Sequence, residues 1–120
     1  MRIGTDIVHI RRIESVIEKH GSRFLDRVFN PAEQKKLSLK PESLAGYWAA
    51  KEAIAKALGC GIGAELSFLD ITITKDPKGA PSFELSRRAQ ARFPIRNHSV
   101  SISHDGGMAL AVVGLVLSDD

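Results

Sequence analysis

The sequence predicts a small fold that mixes helices with β-hairpins. Three observations predict it: an alternating β-branched run near the amino end, a long alanine-rich helix in the middle, and two later pairs of alternating runs joined by Gly-containing turns. The 120 residues are one domain's worth of chain, 1–120, and a hydrophobic content of 43% supplies a core. A domain this size should hide roughly 65% of its unfolded surface. No repeat, low-complexity tract or linker divides it.

Arg2 to Val8 alternates as a strand, with Gly4, Asp6 and Val8 on one face and Ile3, Thr5 and Ile7 on the other. Asp6 therefore stands near a strand end. From His9 to His20 the residues Ile10, Ile13, Val16 and Ile17 follow helical spacing, with Arg11 and Arg12 on another face and Gly21 placed as a left-handed cap. Ser22 can cap a short helix burying Phe24, Leu25, Val28 and Phe29. Asn30-Pro31-Ala32-Glu33 then has the cap, first-turn proline and acid of another helix start.

Ser43 to Leu58 is rich in helix formers, with Gly59 just past its end. After the loop Gly59-Cys60-Gly61-Ile62-Gly63, Phe68 to Lys75 reads as a strand with Leu69, Ile71 and Ile73 on one face. Asp76-Pro77-Lys78-Gly79 turns the chain, Ser82 to Leu85 returns as its partner, and Ser86 to Phe93 forms a short helix. His98 to His104 sets Ser99, Ser101 and Ser103 against Val100 and Ile102. Past Asp105-Gly106-Gly107, Met108 to Leu117 is apolar at nearly every position, as in a strand covered on both faces. So small a domain has few ways to cover both alone, which points to a subunit contact.

Composition narrows the function classes. Cys60 is the only cysteine, so no internal disulfide forms and a reducing compartment, the cytoplasm, is expected. Charges interrupt each apolar stretch of the first residues, and the run Met108 to Leu117 is about half the length of a spanning helix, so neither export nor membrane insertion is expected. A pI of 9.2 comes with a net charge of only +3. That suits an acidic partner better than wholesale wrapping of nucleic acid.

Trp48, Glu52 and Lys56 lie at i, i+4 and i+8 on one side of the alanine-rich helix, with Lys51 beside Glu52. They suit a Glu–Lys pair on a solvated face or, among so many alanines, a lined cleft. Asp6 suits a cap for the next helix or, with Glu52, the one or two carboxylates of a Mg²⁺ site that leaves other positions to water and phosphates. The glycines at 59, 61 and 63 follow a helix rather than a strand, which rejects a dinucleotide fingerprint. Gly59 suits a cap, while Gly61 and Gly63 allow a ligand close to the backbone. His104, at a strand end before a Gly-rich turn, suits a phosphate donor or a hydrogen-bonded structural histidine. Cys60 lacks a nucleophile's signature, and no Gly-x-Ser-x-Gly elbow is present.

Gly4-Thr5-Asp6, followed by Trp48-Ala49-Ala50-Lys51-Glu52-Ala53-Ile54-Ala55-Lys56-Ala57, resembles the signature of the 4′-phosphopantetheinyl transferase superfamily, in its short bacterial form. Gly59 to Gly63, Leu66 to Ile71, Gly79-Ala80-Pro81 and Val100 to His104 extend the likeness over nearly the whole chain. The resemblance implies an α+β fold, a small antiparallel sheet packed against helices, that forms trimers with active sites between subunits. It implies Mg²⁺-dependent transfer of the phosphopantetheine arm of coenzyme A to a serine of apo acyl carrier protein, supporting fatty acid biosynthesis. Asp6 and Glu52 match metal ligands, and Lys56 a catalytic, phosphate-contacting lysine. Gly61, Gly63, Pro81 and His104 fall in segments that match the coenzyme A site. Arg12, with Arg11, Arg23 and Arg27, would dock the acidic carrier.

Two other classes remain. A basic nucleic-acid module draws on the pI and the Arg-rich helix but lacks aromatic–basic interleaving on a strand. A purely structural oligomer would be built around the apolar last strand.

Overall fold

A computed structural model describes all residues, 1–120. Strand β1 (Arg2–His9) leads into helix α1 (Ile10–His20), followed by α2 (Ser22–Val28), α3 (Pro31–Lys36) and the long α4 (Pro41–Ala57). A single 3-10 turn (Phe68–Asp70) precedes the hairpin β2 (Ile71–Lys75) and β3 (Pro81–Leu85). Helix α5 (Arg87–Arg92) and the hairpin β4 (Ile95–Asp105) and β5 (Met108–Leu117) complete the chain. The result is an α+β fold with two antiparallel sheets, β1-β5-β4 and β2-β3.

Helix α4 lies across one face of the three-stranded sheet, and the two faces of β1 divide as the alternation predicts. Gly4 and Val8 are buried toward the helix, Asp6 is partly buried between them, and Ile3 and Ile7 are 66% and 59% exposed on the other side. Crossing at backbone contact requires small residues at both crossings. A Cβ on Gly4 would run into the Ala53 carbonyl oxygen, and one on Gly46 would stand 2.7 Å from Ile102 Cγ2. The alanines of α4 serve the same approach, since Ala45, Ala49, Ala50, Ala53 and Ala55 are fully buried.

Several elements depart from expectation. Phe68 to Asp70 is a 3-10 turn rather than strand, so Leu69 leaves the apolar row and is 45% exposed. The reason is local: Asp70 Oδ2 accepts from Ser67 N (2.9 Å), capping a turn where alternation suggested a strand. Gly21 has φ 50° but ψ −124°, so it breaks the chain between α1 and α2 without being a left-handed cap, and Ser22 makes no cap bond. Helix α4 starts at Pro41, ahead of Ser43, because proline suits a first helical position. Strand β4 starts at Ile95, with a register irregularity between Ile95 and Asn97.

Strand β5 is covered on one face only within the chain. Ala109, Ala111, Val113, Leu115 and Leu117 are buried, while Leu110 and Val112 are 39% and 40% exposed beside the bare Ile3 and Ile7 of β1. The nearly continuous apolar run thus marks one buried face and one bare apolar face. No helix is long and apolar enough to cross a membrane.

Candidate active site

Because Gly4 lets α4 touch β1, the last turns of the helix reach Asp6. Lys56 Nζ donates to Asp6 Oδ1 (2.9 Å) and to the Thr5 carbonyl (3.1 Å). Lys56 therefore pairs with Asp6 rather than with Glu52, and Asp6 does not cap α1, whose first turn has no side-chain cap. The second Asp6 oxygen, Oδ2, is the one buried side-chain oxygen or nitrogen without a hydrogen-bond partner. Burial pushes the Glu52 carboxyl above its ordinary range, the Asp6 charge pushes it further, and Lys56 and Arg12 oppose the rise.

Two carboxylates that repel each other, one with a buried and unpartnered oxygen, make a site short of positive charge. A hard divalent cation is the fitting remedy. No group of three or more His, Cys, Asp or Glu side chains stands ready to hold a metal. A pair of oxygen ligands matches Mg²⁺, which keeps water or phosphate oxygens in its other positions, and gives a soft metal little. Asp6 and Glu52 would hold it.

Arg12 stands at the edge of this site, its guanidinium 5.1 Å from the centre of the Trp48 ring. Behind it Arg11, Arg12, Lys19 and His20 line one shallow cavity of about 490 Å³. His20, Arg23 and Arg27 line a second of about 470 Å³ between α1 and α2, and Val16 and His20 belong to both. All four predicted arginines thus border two adjoining, mainly basic cavities that share Val16 and His20, with Asp26 the one acid among them, and Arg12 stands near enough to Glu52 to oppose the rise of its carboxyl.

Pro81 and His104 meet elsewhere. Together with Glu42, Ser43, Tyr47 and Lys75 they line a cavity of about 130 Å³ between the start of α4, the β2–β3 hairpin and β4. The hairpin is held there by Ser82 Oγ against His98 Nε2 (3.0 Å) and by Phe83 against the His98 ring (4.0 Å between centres). Asp6 pairs with Ala111 and Ala111 with Ile102, so His104, two strands away and two residues further along β4, lies roughly 12 Å from Asp6 between backbone positions. One chain alone does not bring His104 and Asp6 together.

Gly61 needs its glycine for φ 65°, whereas Gly63 has an ordinary φ and open space around its Cα. Nothing within the chain demands glycine at 63.

Sequence reasoning missed the state of Lys51. It is wholly buried, donating to Glu33 Oε1 (2.8 Å) and to the carbonyls of Val28 (2.7 Å) and Phe68 (3.0 Å). Glu33 is 2% exposed and also accepts from Asn30 N (2.9 Å) and Ile73 N (2.7 Å). Burial pushes the Lys51 ammonium below its ordinary range, and Glu33 opposes the fall. A signal was present: Leu44, Tyr47, Lys51, Ile54 and Leu58 follow the spacing of a buried stripe, with Lys51 inside it.

The model of the "4'-phosphopantetheinyl transferase superfamily" matches residues 2–113. A holo-[acyl-carrier-protein] synthase of Sulfurovum is 54% identical over 115 residues, 96% of each chain. One of Wolinella succinogenes is 56% identical over 113 residues, 94% of this chain and 95% of the other. The crystal structure of the Helicobacter pylori holo-[acyl-carrier-protein] synthase in complex with coenzyme A superposes with a TM-score of 0.90 at 49% identity, covering 95% of this chain and 99% of that one. With a family match over nearly its whole length and relatives at more than half identity, the chain belongs to the 4′-phosphopantetheinyl transferase superfamily.

Proposed function

We propose that the chain is a Mg²⁺-dependent holo-acyl-carrier-protein synthase. It moves the 4′-phosphopantetheine arm of coenzyme A onto a serine of apo acyl carrier protein and releases adenosine 3′,5′-bisphosphate, in the service of fatty acid biosynthesis in the cytoplasm. The observation that carries this reading is the unpartnered, buried Asp6 Oδ2 beside Glu52 and Lys56. The names of the relatives, and the coenzyme A held by the Helicobacter pylori protein, support the substrate pair.

The chemistry sets two tasks. A serine hydroxyl is a weak nucleophile at neutral pH, and a diphosphate repels electron-rich attackers, so the site must cancel charge and remove a proton. Bound Mg²⁺ supplies charge neutralisation on the diphosphate and its leaving phosphate. Asp6 and Glu52 hold the ion, and Lys56, steadied by Asp6 and the Thr5 carbonyl, adds a fixed cation at the same mouth. Glu52 orients the water through which the serine proton leaves. Gly61 and Gly63 let the coenzyme pass close to the backbone.

The carrier docks on the basic surface of Arg11, Arg12, Arg23 and Arg27, whose Arg12 is the member near Glu52. Three copies associate through the bare apolar face of Ile3, Ile7, Leu110 and Val112. In that assembly Pro81 and His104 of one subunit serve the phosphates of a coenzyme held at a neighbour's Asp6. The separation of the two groups within one chain favours such sharing.

The test is mass spectrometry of an apo carrier protein incubated with this protein, coenzyme A and Mg²⁺, with and without a chelator. A single phosphopantetheine adduct, lost with the chelator, is expected. An unmodified carrier refutes the reading.

A further inference from the structure

The basic residues lie on α1 and α2 and Glu52 lies on α4, so carrier docking must be converted into serine placement by whatever fixes those helices together. One atom does much of this. The Lys51 ammonium spends all three protons on one carboxylate and two carbonyls. Val28 O belongs to the last residue of α2, Glu33 sits on α3, and Phe68 O opens the 3-10 turn. Glu33 carries the link onward to β2 through Ile73 N.

Lys51 and Glu52 are consecutive on a helix, so their side chains leave the axis about 100° apart. Fixing Lys51 on the α2 side therefore fixes the rotation of α4 and the aim of Glu52. The same ammonium reaches the other wall of the docking site. The Phe68 ring packs against Trp48 (6.2 Å between centres), and Trp48 carries the Arg12 guanidinium. A buried ion pair is a poor source of stability, because apolar side chains of similar volume commonly do as well. What it supplies here is direction: three short bonds from one point to three elements.

We propose that Lys51 is a positioning residue for the transfer, clamping the carrier-docking helix α2 to the catalytic helix α4 so that a docked carrier presents its serine at Glu52. This rests on the docking reading given above. It predicts a split that a merely structural lysine does not produce. Misplacing reacting groups by about 1 Å costs roughly a hundredfold in rate. Binding of coenzyme A at Asp6 and Lys56 does not pass through α2.

The experiment compares wild-type protein with Lys51→Met/Glu33→Gln, which leaves no unpaired buried charge and keeps an acceptor for Ile73 N. Thermal unfolding establishes the folded fraction, calorimetry gives coenzyme A affinity with Mg²⁺, and adduct mass spectrometry gives kcat and KM for the apo carrier. Expected are coenzyme A affinity within about threefold of wild type and a fall in kcat/KM for the carrier of roughly ten- to a hundredfold. A folded variant with wild-type carrier kinetics overturns the proposal. So does a loss of coenzyme A binding and carrier turnover in equal proportion. Should the double variant not fold, Lys51→Arg, which keeps a cation for Glu33 but cannot place the same three bonds, must show the same split at smaller size, and equal losses there overturn it. Wild-type protein that modifies no carrier would instead refute the transferase reading, a separate result.

Discussion

Replacing Gly4 with alanine places a methyl group where the backbone of α4 already stands. The added Cβ would lie 2.9 Å from the Ala57 amide nitrogen and 3.0 Å from the Ala53 carbonyl carbon, whereas ordinary contact begins at 3.4 Å. Both neighbours are main-chain atoms, so no rotamer change relieves the clash, and the helix must retreat by at least about 0.5 Å. Overpacking of this kind costs about 1–3 kcal/mol. For a chain of this length that lowers Tm by roughly 4–12 °C. The retreat also draws Glu52 and Lys56 from Asp6, and half an ångström there should slow transfer about tenfold. Urea unfolding measures the first effect and adduct mass spectrometry, well below Tm, the second. Gly63→Ala is the control: with an ordinary φ and no neighbour within 4 Å, it should leave stability unchanged while weakening coenzyme A binding. A Gly4→Ala protein with a wild-type midpoint and wild-type turnover would refute the claim that backbone contact between β1 and α4 builds the site.

Four further outcomes are expected. Saturating Mg²⁺ should raise the Tm of the wild-type protein, by about 2.7 kcal/mol of stability at a hundred times Kd, and should leave Asp6→Asn unmoved; a shift in both places the ion elsewhere. Arg12→Glu should raise KM for the carrier roughly tenfold and flatten its salt dependence with little change in coenzyme A affinity, as read in initial rates across ionic strength. Leu110→Asp puts a charge on the bare sheet face, so sedimentation should show monomers, with transfer lost if the site is shared.

The fourth outcome concerns acid. Burial alone would raise the Asp70 carboxyl, but bonds from Ser67, Ser86 and Arg88 outweigh it and hold the group at about 2, below its ordinary 3.8. Its folded pKa is depressed, so its contribution is whole above pH 3.8 and is lost as pH falls through about 2. At most about 2 kcal/mol is at stake. Asp70→Asn should flatten that limb of the acid unfolding curve.

Local pattern was legible wherever the chain's own repeat reports burial. The division of β1 into a Gly4-Asp6-Val8 face and an Ile3-Thr5-Ile7 face, the Asn30 to Glu33 capping box and the bounds of β5 follow from periodicity and cap chemistry. Alternation failed at Phe68 to Asp70, where one Asp side chain hydrogen-bonding its own backbone turned a strand-like stretch into a 3-10 turn. In β5 an unbroken apolar run signals burial but not by what, so the face covered by α4 and the face left bare read alike.

By itself the sequence determined which residues carry charge and which face of each element they occupy, because those properties depend on neighbours one to four positions away. Tertiary structure alone decided their partners. Lys56 chose Asp6, fifty positions distant, over Glu52 four positions away, and Lys51 was withdrawn from water to bind Glu33. Both choices depend on the angle and closeness at which α4 crosses the sheet. Those are set by steric contact between backbone segments far apart in the chain, above all where Gly4 meets Ala53, and no local pattern encodes them.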